Sequence, residues 1–273
     1  MKQPWPIAAI PVVAVLMAAA IEPMRPAAML FLLVGLAILL VRPHRNASEI
    51  PPEVLPFAAC LLVSVSLVWD SLGLPASLAS NANCADPLAP FALFRAIGAA
   101  AVLGCLALVL QLVHVAPSKI GIRWPSRGWI MLSLAAIPAV GLVAALIGPP
   151  LAEPFFGPVV PATADLRALV PALLFAVANA SMEEAAYRGA MLRWLTPAFG
   201  LTSAVAVQAI VFGLAHGVGT DFVGSPLPVM AATAAAGLIL GFLAIRSGSL
   251  LPVVAIHVAL DIPVYYGKVC VGT

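Results

Sequence analysis

About nine apolar runs, joined by short polar connections, fill most of the 273-residue chain; they cover 5–21, 27–41, 54–72, 91–115, 129–147, 166–195, 201–217, 227–245 and 250–266. A helix needs roughly 20 apolar residues to cross a hydrocarbon layer of about 30 Å, and inside lipid it satisfies its own backbone hydrogen bonds. The series predicts an all-α fold, a polytopic transmembrane helix bundle of about nine helices. Composition points the same way: 63% of residues are hydrophobic and 9% charged, where a soluble domain carries about 25% charged residues. A net charge of +2 with no basic run, no glycine-rich phosphate loop and no zinc-ribbon cysteine spacing argues against nucleic acid as a partner.

Loop charge sets the expected orientation, because cytoplasmic loops collect Lys and Arg. With the N-terminus inside, the inner connections hold Lys2, Arg42, Arg45, Lys119, Arg123, Arg127, Arg193 and Arg246, and the outer ones hold Arg25, Arg95, Arg167 and Lys268. The first two runs are short and meet at Glu22-Pro23-Met24-Arg25-Pro26. A hairpin of two spans is the simpler account of them; a cleaved signal over residues 1–21 is the alternative. Cys84 and Cys270 fall on the same outer side, where an oxidising exterior permits a disulfide. Two unrelated cysteines is the expectation. The terminal Cys270-Val271-Gly272-Thr273 is a poor prenylation box. Asp70 beside Trp69, and Arg193 beside Trp194, read as membrane-boundary anchors. Gly237 and Gly241, four apart, read as a close helix contact.

Charge inside the apolar runs is costly, several kcal/mol per group by insertion scales. Asn179 to Met191, NASMEEAAYRGAM, carries three such groups within one run. Glu184 and Arg188, four apart, share a helix face and can pair. Glu183 is turned by about 100° from Glu184 and shares its face with Asn179 and Tyr187. His216 ends the next run, and His257 and Asp261 lie four apart on the last. A carboxylate, two imidazoles and a second carboxylate on three helices suit the activation of a water, with or without a metal. Glu183, His216, His257 and Asp261 are the candidate ligands if zinc is used; no HExxH is present. Each group also has a plainer reading, as a structural ion cluster, a satisfied core histidine or a pair joining two helices.

These residues resemble the CPBP family of intramembrane proteases, which includes the type II CAAX prenyl endopeptidases and bacterial abortive-infection membrane proteins. The resemblance rests on Glu183-Glu184-Ala185-Ala186-Tyr187-Arg188, on Phe212-Gly213-Leu214-Ala215-His216, and on His257-Val258-Ala259-Leu260-Asp261. It covers about residues 166–263. It implies an intramembrane endopeptidase with its catalytic core in the C-terminal four helices. Glu183 and His216 would activate water, Arg188 would brace Glu184, and His257 with Asp261 would stand for the oxyanion-stabilising pair. Asp261 replaces the asparagine common in the prenyl proteases, and an ionised Asp cannot donate a hydrogen bond. The resemblance leaves open zinc and a metal-free mechanism.

The expected organisation is residues 1–160 as an N-terminal transmembrane region of unassigned role and 161–273 as the protease core. The expected setting is a multi-pass protein of the bacterial cell (inner) membrane. Its partners would be the bilayer and a membrane protein or a lipid-anchored or exported peptide. A polar cavity opening to the cytoplasmic side is expected, although His216 lies toward the outer end of its run. The contrasting class is a non-proteolytic scaffold or peptide-toxin immunity factor of the same fold, with a proton-coupled transporter as a third.

Overall fold

The computed structural model describes residues 5–42, 51, 53–73, 84–86, 88–156, 166–218 and 223–270. His44 and Arg45 lie outside them. Among the described residues the regular structure is helical: α1 (Trp5–Ala20), α2 (Arg25–Val41), α3 (Val54–Leu72), α4 (Pro90–Leu112), α5 (Arg127–Phe156) and α6 (Leu169–Glu183), then a π-helical segment (Glu184–Met191). It continues with α7 (Leu192–Phe199), α8 (Leu201–Ala215), α9 (Leu227–Ser247) and α10 (Leu251–Val269). Among the described residues, six helical stretches are long and apolar enough to cross a membrane: Glu22–Val41, Val54–Leu72, Pro90–Leu112, Arg127–Gly148, Leu166–Phe199 and Leu227–Ser247. Three shorter apolar helices, Pro6–Ala20, Leu201–Ala215 and Leu251–Gly267, fill the remaining positions. The chain is an integral, multi-pass membrane protein built as a helix bundle.

Prolines and glycines punctuate the helices where their backbone chemistry allows. Proline opens α2, α4, α9 and α10 within the first two positions, where its missing N–H has no intrahelical partner to lose. α9 stops at Gly248, which takes the left-handed conformation with φ 65°, the usual glycine exit from a helix. Large side chains on the outer helix faces, among them Leu30, Ile38, Leu108, Leu134 and Ile239, stay exposed, as lipid contact requires.

The main core joins the two halves of the chain. Leu32, Leu62, Leu67, Met182, Met191, Leu195 and Val211 belong to one buried cluster. In lipid such contacts form through close packing, and small residues let backbones approach. α8 and α9 meet that way. A Cβ on Gly237 would lie 3.0 Å from the Ala209 Cα, and Gln208 Nε2 donates to the Gly237 carbonyl at 2.9 Å.

Two expectations need correction. Cys84 and Cys270 are joined by a disulfide, with Cα atoms 5.1 Å apart. Tyr265 brings the two together, since its hydroxyl donates to the Cys84 carbonyl at 3.0 Å. Trp194 is no boundary anchor: it is buried in the main core, while Arg193 donates to the Ala244 carbonyl at 3.1 Å.

Candidate active site

The longest apolar stretch departs from α-helical geometry where its charges sit. α6 ends at Glu183, and the backbone widens from Glu184 to Met191 so that Leu192 N–H reaches the Tyr187 carbonyl five residues back. Such π segments are rare and cluster at functional sites. Every residue of this one is buried.

His257, on α10, is the centre of the cluster. Its Nδ1 lies 2.8 Å from Oε1 of Glu184. Its Nε2 lies 3.5 Å from Oε2 of Glu183 and 3.6 Å from Oδ1 of Asp261. Arg188 Nη1 donates to the same Glu184 oxygen at 3.0 Å, and its guanidinium rests on the Phe212 ring, 4.2 Å from the centroid. Asn179 Nδ2 donates to Oδ2 of Asp261 at 2.9 Å. All of these polar side chains are buried. An ionised carboxylate only accepts, so Nδ1 of His257 carries a hydrogen and donates it to Glu184.

The sequence put the two glutamates on different faces, with separate partners. One imidazole lies between the two carboxylates and offers a nitrogen to each. His216 caps α8 and is partly exposed. Its Nδ1 sits 2.8 Å from the Phe212 carbonyl. A carbonyl only accepts, so Nδ1 holds the hydrogen and the Nε2 lone pair is left available. His216 joins the cluster through Phe212, whose ring lies 4.4 Å from its own and edge-on to His257 at 6.4 Å. The structure thus gathers Glu183, Glu184, Arg188, His257 and Asp261 by direct contact and brings His216 in through an aromatic ring.

Two participants escaped the sequence reading: Asn179 was noted only as a face-mate of Glu183, and Phe212 only as part of a motif. Arg95, read as an outer charge, lies within α4, where its Nη1 meets Asp70 Oδ1 at 2.6 Å and its guanidinium lies over the Phe175 ring at 5.8 Å. The signal available was a lone arginine five residues into an apolar helix.

No three His, Cys, Asp or Glu side chains among the described residues form a metal-holding group. The Nδ1–H of His257 faces a carboxylate and that of His216 a backbone carbonyl, the usual outer partners of a metal-binding imidazole, so Nε2 of each, with the carboxylates of Glu183 and Asp261, is what would meet a zinc. No step below is routed through a metal.

The type II CAAX prenyl endopeptidase Rce1-like family matches residues 165–262. The match covers about a third of the chain and supports a likeness to the CPBP family of membrane proteases. Comparison with curated proteins and with solved structures gives no match. Intramembrane proteolysis is the activity of this family, and the six sequence-predicted residues all fall inside the CPBP segment.

Proposed function

We propose that the chain is an intramembrane endopeptidase in which Glu183 and His216 take the proton of a water that attacks a peptide carbonyl. One observation carries this reading. Oε2 of Glu183 is buried and has no hydrogen-bond partner, yet it faces His257 Nε2 across 3.5 Å. Leaving a buried acceptor unmatched costs about 1–3 kcal/mol, and such groups are rare unless they have a task. A water bound there is held beside a base. Its oxygen bonds to the carbonyl carbon while its proton passes to Glu183 or to Nε2 of His216. That proton is returned to the amide nitrogen as the C–N bond breaks.

Glu184 fixes the His257 ring, and Arg188 fixes Glu184. Asp261 cannot donate to the developing oxyanion while ionised. Asn179 holds one of its oxygens and the other faces Nε2, so Asp261 orients His257. The Nε2 hydrogen of His257 is then the donor to the oxyanion.

Substrates of this reading are membrane proteins or lipid-anchored or exported peptides. Disulfides persist in oxidising compartments, so the end of the bundle that carries Cys84–Cys270 faces outward, and the basic connection with Lys119, Arg123 and Arg127 faces the cytoplasm. Asp70 and Arg95 flank the connection that holds Cys84, and His216 is the partly exposed imidazole. This reading favours access from the outer side over a cytoplasmic opening, in a bacterial cell membrane.

The test is cleavage of candidate membrane substrates by the purified protein and by Glu183→Ala, with matched folding and a chelator arm. The expected result is cleavage that Glu183→Ala loses by at least about 100-fold and that chelation leaves intact. Equal processing by both proteins would remove Glu183 from the chemistry.

A further inference from the structure

The basic connection between α4 and α5 is tied down at several points and carries cations that the chain does not neutralise. Ile120 is fully buried in the main core, and its carbonyl oxygen lies 3.3 Å from where a Cβ on Gly189 of the π segment would stand. Leu250 N–H donates to the Gly121 carbonyl at 2.9 Å, and the Ser249 hydroxyl to the Arg123 carbonyl at 2.5 Å. Two guanidiniums then meet the end of α9. Arg193 Nη2 donates to the Ala244 carbonyl at 3.1 Å, and the group lies against Gly121, where a Cβ would leave it no room. Arg123 Nε donates to the Gly248 carbonyl at 2.7 Å. These two carbonyls are four residues apart, about 6 Å along the helix.

A helix C-terminus carries about half a negative charge, which does not offset two guanidiniums. Arg246 in the last turn of α9, with Lys119 and Arg127 on the connection, adds three more cations. Among the described residues no carboxylate pairs with any of the five. Arg193 Nε is buried with no hydrogen-bond partner, and Arg123, an exposed residue, spends Nε alone. Beside these cations Trp124 is 83% exposed and Ile122 48%. Tryptophan gathers at headgroup level, and α5 begins three residues on, at Arg127.

We propose that Arg123 and Arg193 clamp the phosphate of an anionic phospholipid of the cytoplasmic leaflet, with Ile122 and Trp124 against its acyl chains. The planar fork of a guanidinium matches phosphate, and anionic headgroups populate that leaflet. The exposed apolar side chains beside the cations favour a lipid over a free ion. The site lies at the end of the bundle away from the disulfide and stands whether or not the chain cleaves peptides.

The experiment is native mass spectrometry of the full-length protein in detergent micelles, titrated with phosphatidylglycerol or with phosphatidylcholine of the same chain length. A cation near the headgroups changes binding about fivefold. Phosphatidylglycerol is therefore expected to bind about tenfold or more tighter than phosphatidylcholine, and Arg123→Gln/Arg193→Gln to weaken it about twentyfold while leaving phosphatidylcholine unchanged. Arg123→Lys/Arg193→Lys keeps the charge without the fork and should fall between. Arg42→Gln removes an exposed cation elsewhere on the cytoplasmic side and should change nothing. Equal binding of the two lipids overturns the proposal, and so does a loss in Arg42→Gln as large as in the double glutamine variant, which would mean general surface charge.

A second measurement needs no variant, so it holds even if the double variant fails to fold. Phenylglyoxal modifies accessible guanidiniums, and mass spectrometry of a digest locates them. Phosphatidylglycerol is expected to slow modification of Arg123 by about threefold or more, while phosphatidylcholine and millimolar inorganic phosphate leave it unchanged, as does every ligand at Arg42. Unprotected Arg123 overturns the proposal. Equal protection by inorganic phosphate overturns it too, because the occupant would then be a free anion.

Discussion

Replacing Arg188 by methionine should be among the most damaging single changes in the bundle, and the structure says by how much. The guanidinium is fully buried, 3.0 Å from Glu184 and 4.2 Å from the Phe212 ring centroid. At 3.0 Å the gross ion-pair attraction is about 5–6 kcal/mol for an effective dielectric of about 20. A desolvated cation–π contact adds about 2 kcal/mol. Desolvation of the arginine opposes both, so the net loss on removing the cation alone is about 3–5 kcal/mol, the usual cost of stranding one member of a buried pair. Glu184→Gln/Arg188→Met removes both charges, and the amide oxygen can still accept from His257 Nδ1. The double variant should therefore lose less than half as much as the single one. Reversible unfolding in lipid-detergent micelles titrated with dodecyl sulfate, followed by circular dichroism, measures both. An Arg188→Met protein within about 1 kcal/mol of the parent, or a double variant as unstable as the single, would refute the reasoning.

Three more outcomes follow from particular contacts. A Cβ on Gly213 would lie 2.6 Å from the Met230 carbonyl oxygen and 2.8 Å from the Ala234 Cβ, so Gly213→Ala must push α8 from α9; the same titration should record a loss of about 1–3 kcal/mol, and an unchanged midpoint would contradict the contact. Asn179→Leu takes the donor from Oδ2 of Asp261 and should cost about 1–3 kcal/mol, while Asn179→Asp, which adds a charge beside Asp261, should cost more; the reverse ranking would mean Asn179 is not a donor there. Without reductant, a maleimide should label Cys60 and Cys105 but neither Cys84 nor Cys270 in the denatured protein, and a proteolytic digest should yield the Cys84 and Cys270 peptides linked. Labelling of all four thiols in protein from an oxidising compartment would remove the disulfide and with it the argument for the outward face.

The helices were legible because lipid imposes a simple rule: a long apolar run must satisfy its own backbone. The run at 54–72 became the helix Val54–Leu72 without adjustment. The run at 91–115 stops three residues early, at Leu112, because His114 takes φ 47° and ends the helix. Glu183, Glu184, Arg188, His216, His257 and Asp261 were legible as candidates because charge in an apolar run stands out. What composition cannot convey is which of them touch. Periodicity does not distinguish a five-residue from a four-residue hydrogen-bond step, so the π segment was invisible. The Arg95–Asp70 bond joins different helices, and the disulfide closes over a separation of 186 residues. No local pattern encodes pairings at those distances.

Arg25 explains how the distant helices keep their register against the site. The sequence set it in an outer turn opposite Glu22, and that pairing is loose at 3.9 Å. Its side chain instead turns inward and is 3% exposed. Nε donates to the Ala18 carbonyl, and Nη1 to the Leu67 carbonyl and the Ser71 hydroxyl. A buried cation that spends its donors on α1 and on the last turn of α3 fixes where that turn stands. Asp70 sits in that turn, between Leu67 and Ser71. Lower on α3, Ser66 contacts the Met182 sulfur at 3.9 Å, next to Glu183. α3 is thereby held at its end by the first hairpin and along its length by α6. The hairpin sets α3, α3 carries Asp70, and Arg95, bonded to Asp70 and lying over Phe175, ties that turn to α6. Truncating the first two helices would remove the support of α3 and displace Asp70 while leaving every residue of the CPBP segment in the chain.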